Sequence, residues 1–184
     1  MSLGEPFDPI LSAARAGADW AWERLYRELA PPVLAYLRSR GARDPEDVLG
    51  EVFLQAVRGL PRFEGDERDL RTWVLTIAHR KLVDEHRKTA RRPITVPDEE
   101  LYRTGATGDA ELEGLAALGT NRALVLIRSL APDQQNVLLL RVFADLTIEE
   151  IARVLAKKPG AIKALQRRGL AALKKKLSKE GVPL

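Results

Sequence analysis

Six polar side chains fall within twelve residues near the C-terminal end: Lys157, Lys158, Lys163, Gln166, Arg167 and Arg168. Arginine and lysine can donate to guanine O6 and N7, and glutamine can pair with adenine through two hydrogen bonds. A helix that presents Lys163, Gln166 and Arg167 on one side is suited to reading base edges in a major groove. Lys157 and Lys158 precede that helix, where unpaired N–H groups and the helix dipole already favour phosphate. Arg168, Lys174, Lys175 and Lys176 follow as candidate phosphate contacts. Catalytic chemistry finds no comparable cluster. The chain has no cysteine, which excludes thiol nucleophiles, disulfides and cysteine-based zinc sites. His79 and His86 stand seven residues apart, about 10 Å along a helix, too far to share a metal ion. No catalytic residue, metal ligand or cofactor is expected.

The elements that must hold the basic set are legible around it. Thr147 and Glu150 form a capping box three residues apart. Ile148, Ile151, Ala152 and Leu155 then recur at helical spacing. Ala156, Lys157 and Lys158 make a short connection, and Pro159 opens a second helix with Ile162 and Leu165 inward. This pattern describes a helix-turn-helix. It also describes a plain helical hairpin with a solvated basic face, and the segment alone does not separate the two.

Apolar positions elsewhere recur at three and four, so an all-α chain is expected. A first helical block covers roughly Pro9 to Arg40, with Pro31-Pro32 as a candidate break and Gly41 as a stop. Asp44 caps a helix that Pro45 opens and that reaches about Arg58, with Val48, Leu49, Val52, Phe53, Ala56 and Val57 on its apolar side. Its other side carries Glu46, Asp47, Glu51, Leu54 and Gln55. This is either a solvated face or a docking patch with Leu54 as its anchor. Residues 59–68 read as a loop. A long helix from about Asp69 to Lys88 buries Trp73, Val74, Ile77, Ala78 and Leu82. Thr76, Arg80, Asp84 and Arg87 line its outer side, with Lys88 beside them. Trp20, Trp22 and Trp73 are expected in the core, and both histidines at the surface or facing DNA.

Charge is segregated. Residues 1–79 carry 10 basic and 13 acidic groups, 80–96 carry 6 and 2, 97–119 carry 1 and 6, and 120–184 carry 13 and 5. The overall charge of +4 therefore hides a basic strip, an acidic connector and a basic end. Basic segments favour phosphate backbones through counterion release. Prolines and glycines mark 93–119 as a linker with a candidate short helix at 109–118. Fully extended, residues 97–119 would reach roughly 80 Å. The organisation expected is residues 1–92, linker 93–119 and residues 120–184. The first residues lack the pattern of a signal peptide, and no stretch nears the ~20 apolar residues of a membrane span, so a soluble cytoplasmic protein is expected.

In their order and spacing, three stretches resemble the extracytoplasmic-function group of bacterial RNA polymerase sigma factors, across about Trp22 to Leu177. Asp44 to Val57 resembles the helix by which region 2 grips core RNA polymerase, which implies roles for Asp44, Glu46, Asp47, Glu51, Leu54 and Gln55. Phe63 to Lys88 resembles the segment that reads and opens the −10 element, which implies Phe63, Asp66, Arg68, Thr76, Arg80, Asp84, Arg87 and Lys88. The resemblance puts a pocket for a flipped base at Phe63, Asp66 and Arg68. Phe63 reads equally well as a plug closing the loop onto Trp73. Ser129 to Leu173 resembles region 4, which implies −35 contacts from Lys157, Lys158, Lys163, Gln166, Arg167, Arg168 and Lys174. The chain departs from the family at Arg80, Gln135 and Lys158, where Asn, Arg and a Ser or Thr cap are usual. The resemblance implies core polymerase and promoter DNA as partners, with control by an anti-sigma factor and no membrane insertion. The alternative is a free-standing helix-turn-helix regulator that binds duplex DNA without polymerase.

Overall fold

The computed structural model of the protein describes residues 7–90 and 123–179. Among these residues helix is the only regular structure, as the spacing predicts. The first module holds α1 (Phe7–Arg15), α2 (Asp19–Ser39), α3 (Pro45–Gly59), a 3-10 turn at Leu60–Arg62 and α4 (Glu67–Ala90). The second holds α5 (123–128), α6 (Pro132–Ala144), α7 (Ile148–Leu155) and α8 (Pro159–Lys179). The linker at 93–119, its candidate helix, Arg91 and Arg92 lie outside the described residues.

The first helical block breaks in a different place from the one expected. The chain turns at Ala16-Gly17-Ala18, where Gly17 takes φ +84°, and not at Pro31-Pro32. Each proline removes a helical donor, which costs ~3 kcal/mol in an exposed helix interior. Leu29, Ala30, Pro32, Val33, Tyr36 and Leu37 are all buried, and that apolar face holds α2 in one piece through both prolines. The start of α3 follows the sequence closely. Asp44 accepts from the Asp47 N–H at 3.2 Å, and Pro45 occupies the first turn. Of the expected apolar side, Leu49, Val52, Phe53 and Ala56 are buried, while Val57 is 46% exposed.

Helix α4 starts two residues earlier than expected, because Asp66 accepts from the Asp69 N–H at 2.8 Å and caps it. Its buried set is also larger: Leu70, Thr72 and Leu75 join Val74, Ile77, Ala78 and Leu82. The cause is packing on more than one side. α4 meets α2 and α3 of its own module and α7 of the second, while α2 also packs against α6. Arg68, Thr72, Leu75 and His79 recur at four, three and four, so they share one stripe of α4. One continuous core runs through both modules, from Ile10 to Ile162.

Two expectations about aromatic and histidine side chains need correction. Trp20 is 57% exposed beside Glu23, Arg24 and Arg27, whereas Trp22 is partly buried and donates from Nε1 to the Ala14 carbonyl at 3.0 Å. His86 is exposed, but His79 is half-buried with its Nδ1 2.8 Å from the Tyr36 hydroxyl.

Candidate nucleic-acid interface

The basic helix is positioned by local rules. Asp145 ends α6 at φ 50° and Ala156 ends α7 at φ 51°, two left-handed residues that set the turns of the motif. Thr147 Oγ1 accepts from the Glu150 N–H at 3.3 Å, and the Thr147 N–H donates to Glu150 Oε2 at 2.6 Å, so the capping box is complete. Lys158 stands at the start of α8, where its carbonyl accepts from Ala161 and Ile162. Ile162 is fully buried, which rolls Lys163 and Arg167 outward with Arg168 and Lys174; Gln166 is half-buried. Gly169 lets α8 approach α6, since a Cβ there would lie 3.1 Å from Leu138 Cδ1. Two of the lysines expected at phosphate are engaged within the protein. Lys157 pairs with Asp133 at 3.0 Å, and Lys176 donates to Ser129 Oγ at 2.6 Å.

On α4 the outer line is partly as expected. Arg80, Asp84, Arg87 and Lys88 are exposed, and Asp84 lies 4.0 Å from Arg87. Thr76 is half-buried and gives its hydroxyl proton to the Thr72 carbonyl at 2.8 Å. Before this line, the loop and α4 border a cleft of ≈ 650 Å³ lined by Arg58, Arg62, Phe63, Asp69, Thr72, Trp73, Thr76 and Arg153, among others. Phe63 is buried with its ring 5.3 Å from Trp73, so it plugs the floor of that cleft. Asp66 serves as the helix cap, and Gly65 at φ +144° makes the tight approach to Asp69. Its lining brings together an indole face, two threonines and the arginines at 58, 62 and 153.

Arg68, expected at the same place, is turned toward the second module. It donates from Nε to Glu150 Oε1 at 2.9 Å and from Nη2 to Glu150 Oε2 at 3.2 Å. This hydrogen bonding holds the nearly buried Glu150 carboxyl far below its usual range, from 4.5 to about 2. Next to it, Arg153 Nη1 donates to Asp69 Oδ1 at 2.6 Å, which lowers the Asp69 carboxyl as well. A second set of bonds crosses between α2 and α6. Arg40 donates to Gln135, whose own amide donates to the carbonyls of Arg128 and Leu130 at 2.8 and 2.7 Å. An arginine at 135 would face Arg40, so the glutamine at this position suits the half-buried Arg40. Tyr36 gives its hydroxyl proton to Asn136 Oδ1 at 3.2 Å, so His79 completes its contact by donating from Nδ1. Burial pushes the Tyr36 phenol above its ordinary range and pulls His79 down to about 4, with Arg40 adding to the latter.

The α3 patch is exposed throughout, with Leu54 at 58% and Glu46, Asp47, Glu51 and Gln55 around it. Glu46 pairs with Arg38, and Glu51 with Lys81 at 2.7 Å. Sequence reasoning missed that Val57 and Tyr26 enlarge its apolar part; the Tyr26 ring lies 4.6 Å from Phe53. It also missed Arg153, Asp69, Tyr36 and Asn136, which join the modules. Among the described residues no group of histidine, aspartate or glutamate could hold a metal ion, and no helix is long and apolar enough to cross a membrane.

Comparison with known proteins agrees with the order of these surfaces. Residues 25–92 match Sigma-70 region 2, and residues 120–173 match Sigma-70 region 4. The chain is 34% identical over 167 residues to the ECF RNA polymerase sigma factor BldN of Streptomyces coelicolor, covering 89% of this chain and 63% of that one. It is 30% identical over 185 residues to the ECF RNA polymerase sigma factor SigD of Mycobacterium bovis, covering 97% and 87%. The fold is shared with a solved structure of CnrH in complex with the cytosolic domain of CnrY, at a TM-score of 0.68 and 20% identity, covering 95% of this chain and 99% of that one. Region 2 helices, region 4 helices and full-length relatives thus meet in a single chain, which belongs to the ECF family of RNA polymerase sigma factors.

Proposed function

We propose that the protein is a transcription initiation factor that binds core RNA polymerase, directs it to −35/−10 promoter elements and assists melting of the −10 region. Residues 1–92 act as region 2, 93–119 as the linker and 120–184 as region 4. The observation that carries this reading is the presence of both sigma regions, in order, in one chain. A free-standing helix-turn-helix regulator has no use for the first region.

The division of labour follows the surfaces. The exposed α3 patch around Leu54 docks on polymerase, with Asp44 fixing the helix and Glu46, Asp47, Glu51 and Gln55 steering it toward a basic partner. Lys163, Gln166 and Arg167 read the −35 duplex, while Lys158, Arg168 and Lys174 hold its phosphates. Arg80, Asp84, Arg87 and Lys88 contact the −10 segment, and the cleft beside Phe63 and Thr76 receives an extruded base. The protein performs no bond chemistry and needs no cofactor; nucleotide addition belongs to the polymerase. It works in the cytoplasm as an alternative, signal-responsive sigma factor under an anti-sigma protein.

Run-off transcription with purified core RNA polymerase on a library of promoter fragments tests this. Transcripts that start downstream of one shared −35/−10 pair only when the protein is added are expected. Specific duplex binding by the protein alone, with no transcript under any condition, would favour the free-standing regulator.

A further inference from the structure

The loop that borders the cleft is fastened by a side chain from another helix. α3 ends at Gly59, and the 3-10 turn Leu60–Arg62 gives way to extended backbone at Phe63, with φ −72° and ψ 133°. Carbonyls at the end of a helix lack intrahelical donors and carry the negative end of its dipole. Arg15, the last residue of α1, supplies donors here. It donates from Nε to the Leu60 carbonyl at 3.4 Å and from Nη2 to the Phe63 carbonyl. The Leu60 carbonyl also accepts from the Phe63 N–H at 3.1 Å, so one guanidinium edge spans the turn from its first carbonyl to the residue that closes it.

The end of α1 is held in turn. The Ala14 carbonyl accepts from Trp22 Nε1 at 3.0 Å, and Ile10, Leu11 and Ala14 are buried. Residues 62–64 border the cleft and Arg15 does not, so the guanidinium acts on that wall from outside it. Arg15 also stands ahead of residues 25–92, the segment that matches region 2.

We propose that Arg15 is a positioning residue for capture of the −10 strand: its fork fixes the carbonyls at 60 and 63, and so sets the wall at 62–64 before the strand arrives. The role rests on the −10 reading of this cleft and deepens it by naming what shapes the pocket. A loop ordered beforehand loses little entropy on binding, which raises affinity without adding a contact. A planar guanidinium serves two carbonyls at once, and a lysine ammonium does not reproduce that fork.

The probe is a single-stranded oligonucleotide with the −10 sequence returned by the run-off library, together with a series in which one abasic site is moved along it. Each is titrated into core polymerase carrying wild type, Arg15→Ala or Arg15→Lys. In wild type, one abasic position is expected to weaken binding about tenfold or more, the loss of a captured base. In Arg15→Ala the cost of that abasic site should fall to about twofold, with Arg15→Lys in between. Affinity for a duplex −35 fragment should not change. If Arg15 only stabilised the first module, intact and abasic strands would weaken in proportion; an abasic cost in Arg15→Ala equal to that of wild type overturns the role. A urea titration shows whether Arg15→Ala is folded. If it is not, Arg15→Lys decides: an abasic cost below that of wild type supports the role, and an equal cost overturns it. An abasic effect in wild type that both variants retain discards Arg15 alone. No abasic effect even in wild type discards the base pocket, and Arg15's role with it.

Discussion

Arg68 and Glu150 are 82 residues apart in the chain, yet their side chains meet at 2.9 Å and join the first turn of α4 to the first turn of α7. Neither position is conspicuous by itself. One reads as a loop cation and the other as a helix cap.

The pair predicts how stability responds to acid. Glu150 is depressed to about 2 by its bonds from Arg68, so it binds its proton more weakly in the folded chain than in the unfolded one. Its contribution is complete above the ordinary value of 4.5 and is lost as pH falls from there toward about 2. Arg68 is half-exposed, and solvent screening limits the contribution to about 1–2 kcal/mol. Chemical denaturation of wild type and Glu150→Gln across that window should show a gap that closes on acidification; a gap independent of pH would refute the assignment.

His79 predicts a second, separate window. Its pKa is lowered to about 4, first by burial, then by Arg40; Lys157 and Arg80 act in the same direction and Asp133 against it. Tyr36 occupies its Nδ1. The unfolded chain binds the proton more readily, so stability from this site is present above 6.5 and is lost as pH falls toward 4. An NMR titration of the His79 ring protons should find a midpoint near 4. A midpoint near 6.5 would mean that the ring is not held as described.

Gly59 predicts a packing limit at the cleft. A Cβ there would lie 2.7 Å from Trp73 Cζ2 and 2.9 Å from Cη2. The indole is rigid and is backed by Phe63. Gly59→Ala should therefore cost about 1–3 kcal/mol despite the better helix propensity of alanine, read as a lower urea midpoint with the slope unchanged. A stabilised variant would show that Trp73 can move aside.

The basic helix predicts two kinds of loss. Arg167→Ala should relax base preference at one −35 position, at about 1–3 kcal/mol of discrimination. Lys174→Ala should weaken binding to all sequences and lower the salt slope by about one unit. Binding to a −35 library by the polymerase complex at several salt concentrations separates them, and swapped behaviour would reverse the two roles.

How far the sequence could be read depends on how local each signal is. The capping box at Thr147, the Asp44 cap and the opening prolines at 45 and 159 involve neighbours only, and each stands where it was expected. Pro31 and Pro32 misled because local helix chemistry says break, while the buried face of α2 outweighs it. Leu70, Thr72 and Leu75 were not recognised as buried because a single apolar stripe is the sign of a helix packed on one side, and α4 is packed on several. His79 looked like a surface group because nothing in its neighbourhood on the chain points to Tyr36, 43 residues earlier. The same holds for every bond between the modules. Which faces are sticky can be read from periodicity; which two faces meet cannot.

Glu150 Oε2 accepts from both the Thr147 N–H and Arg68 Nη2. One oxygen atom thus belongs to a local motif and to a distant one at once. Departure of Arg68 strips that atom of one donor and leaves the other, so the first turn of α7 registers whether its neighbour is present. Thr147 and Arg68 share one electron pair donor, and a change at either is felt at the other through the charge on a single carboxylate.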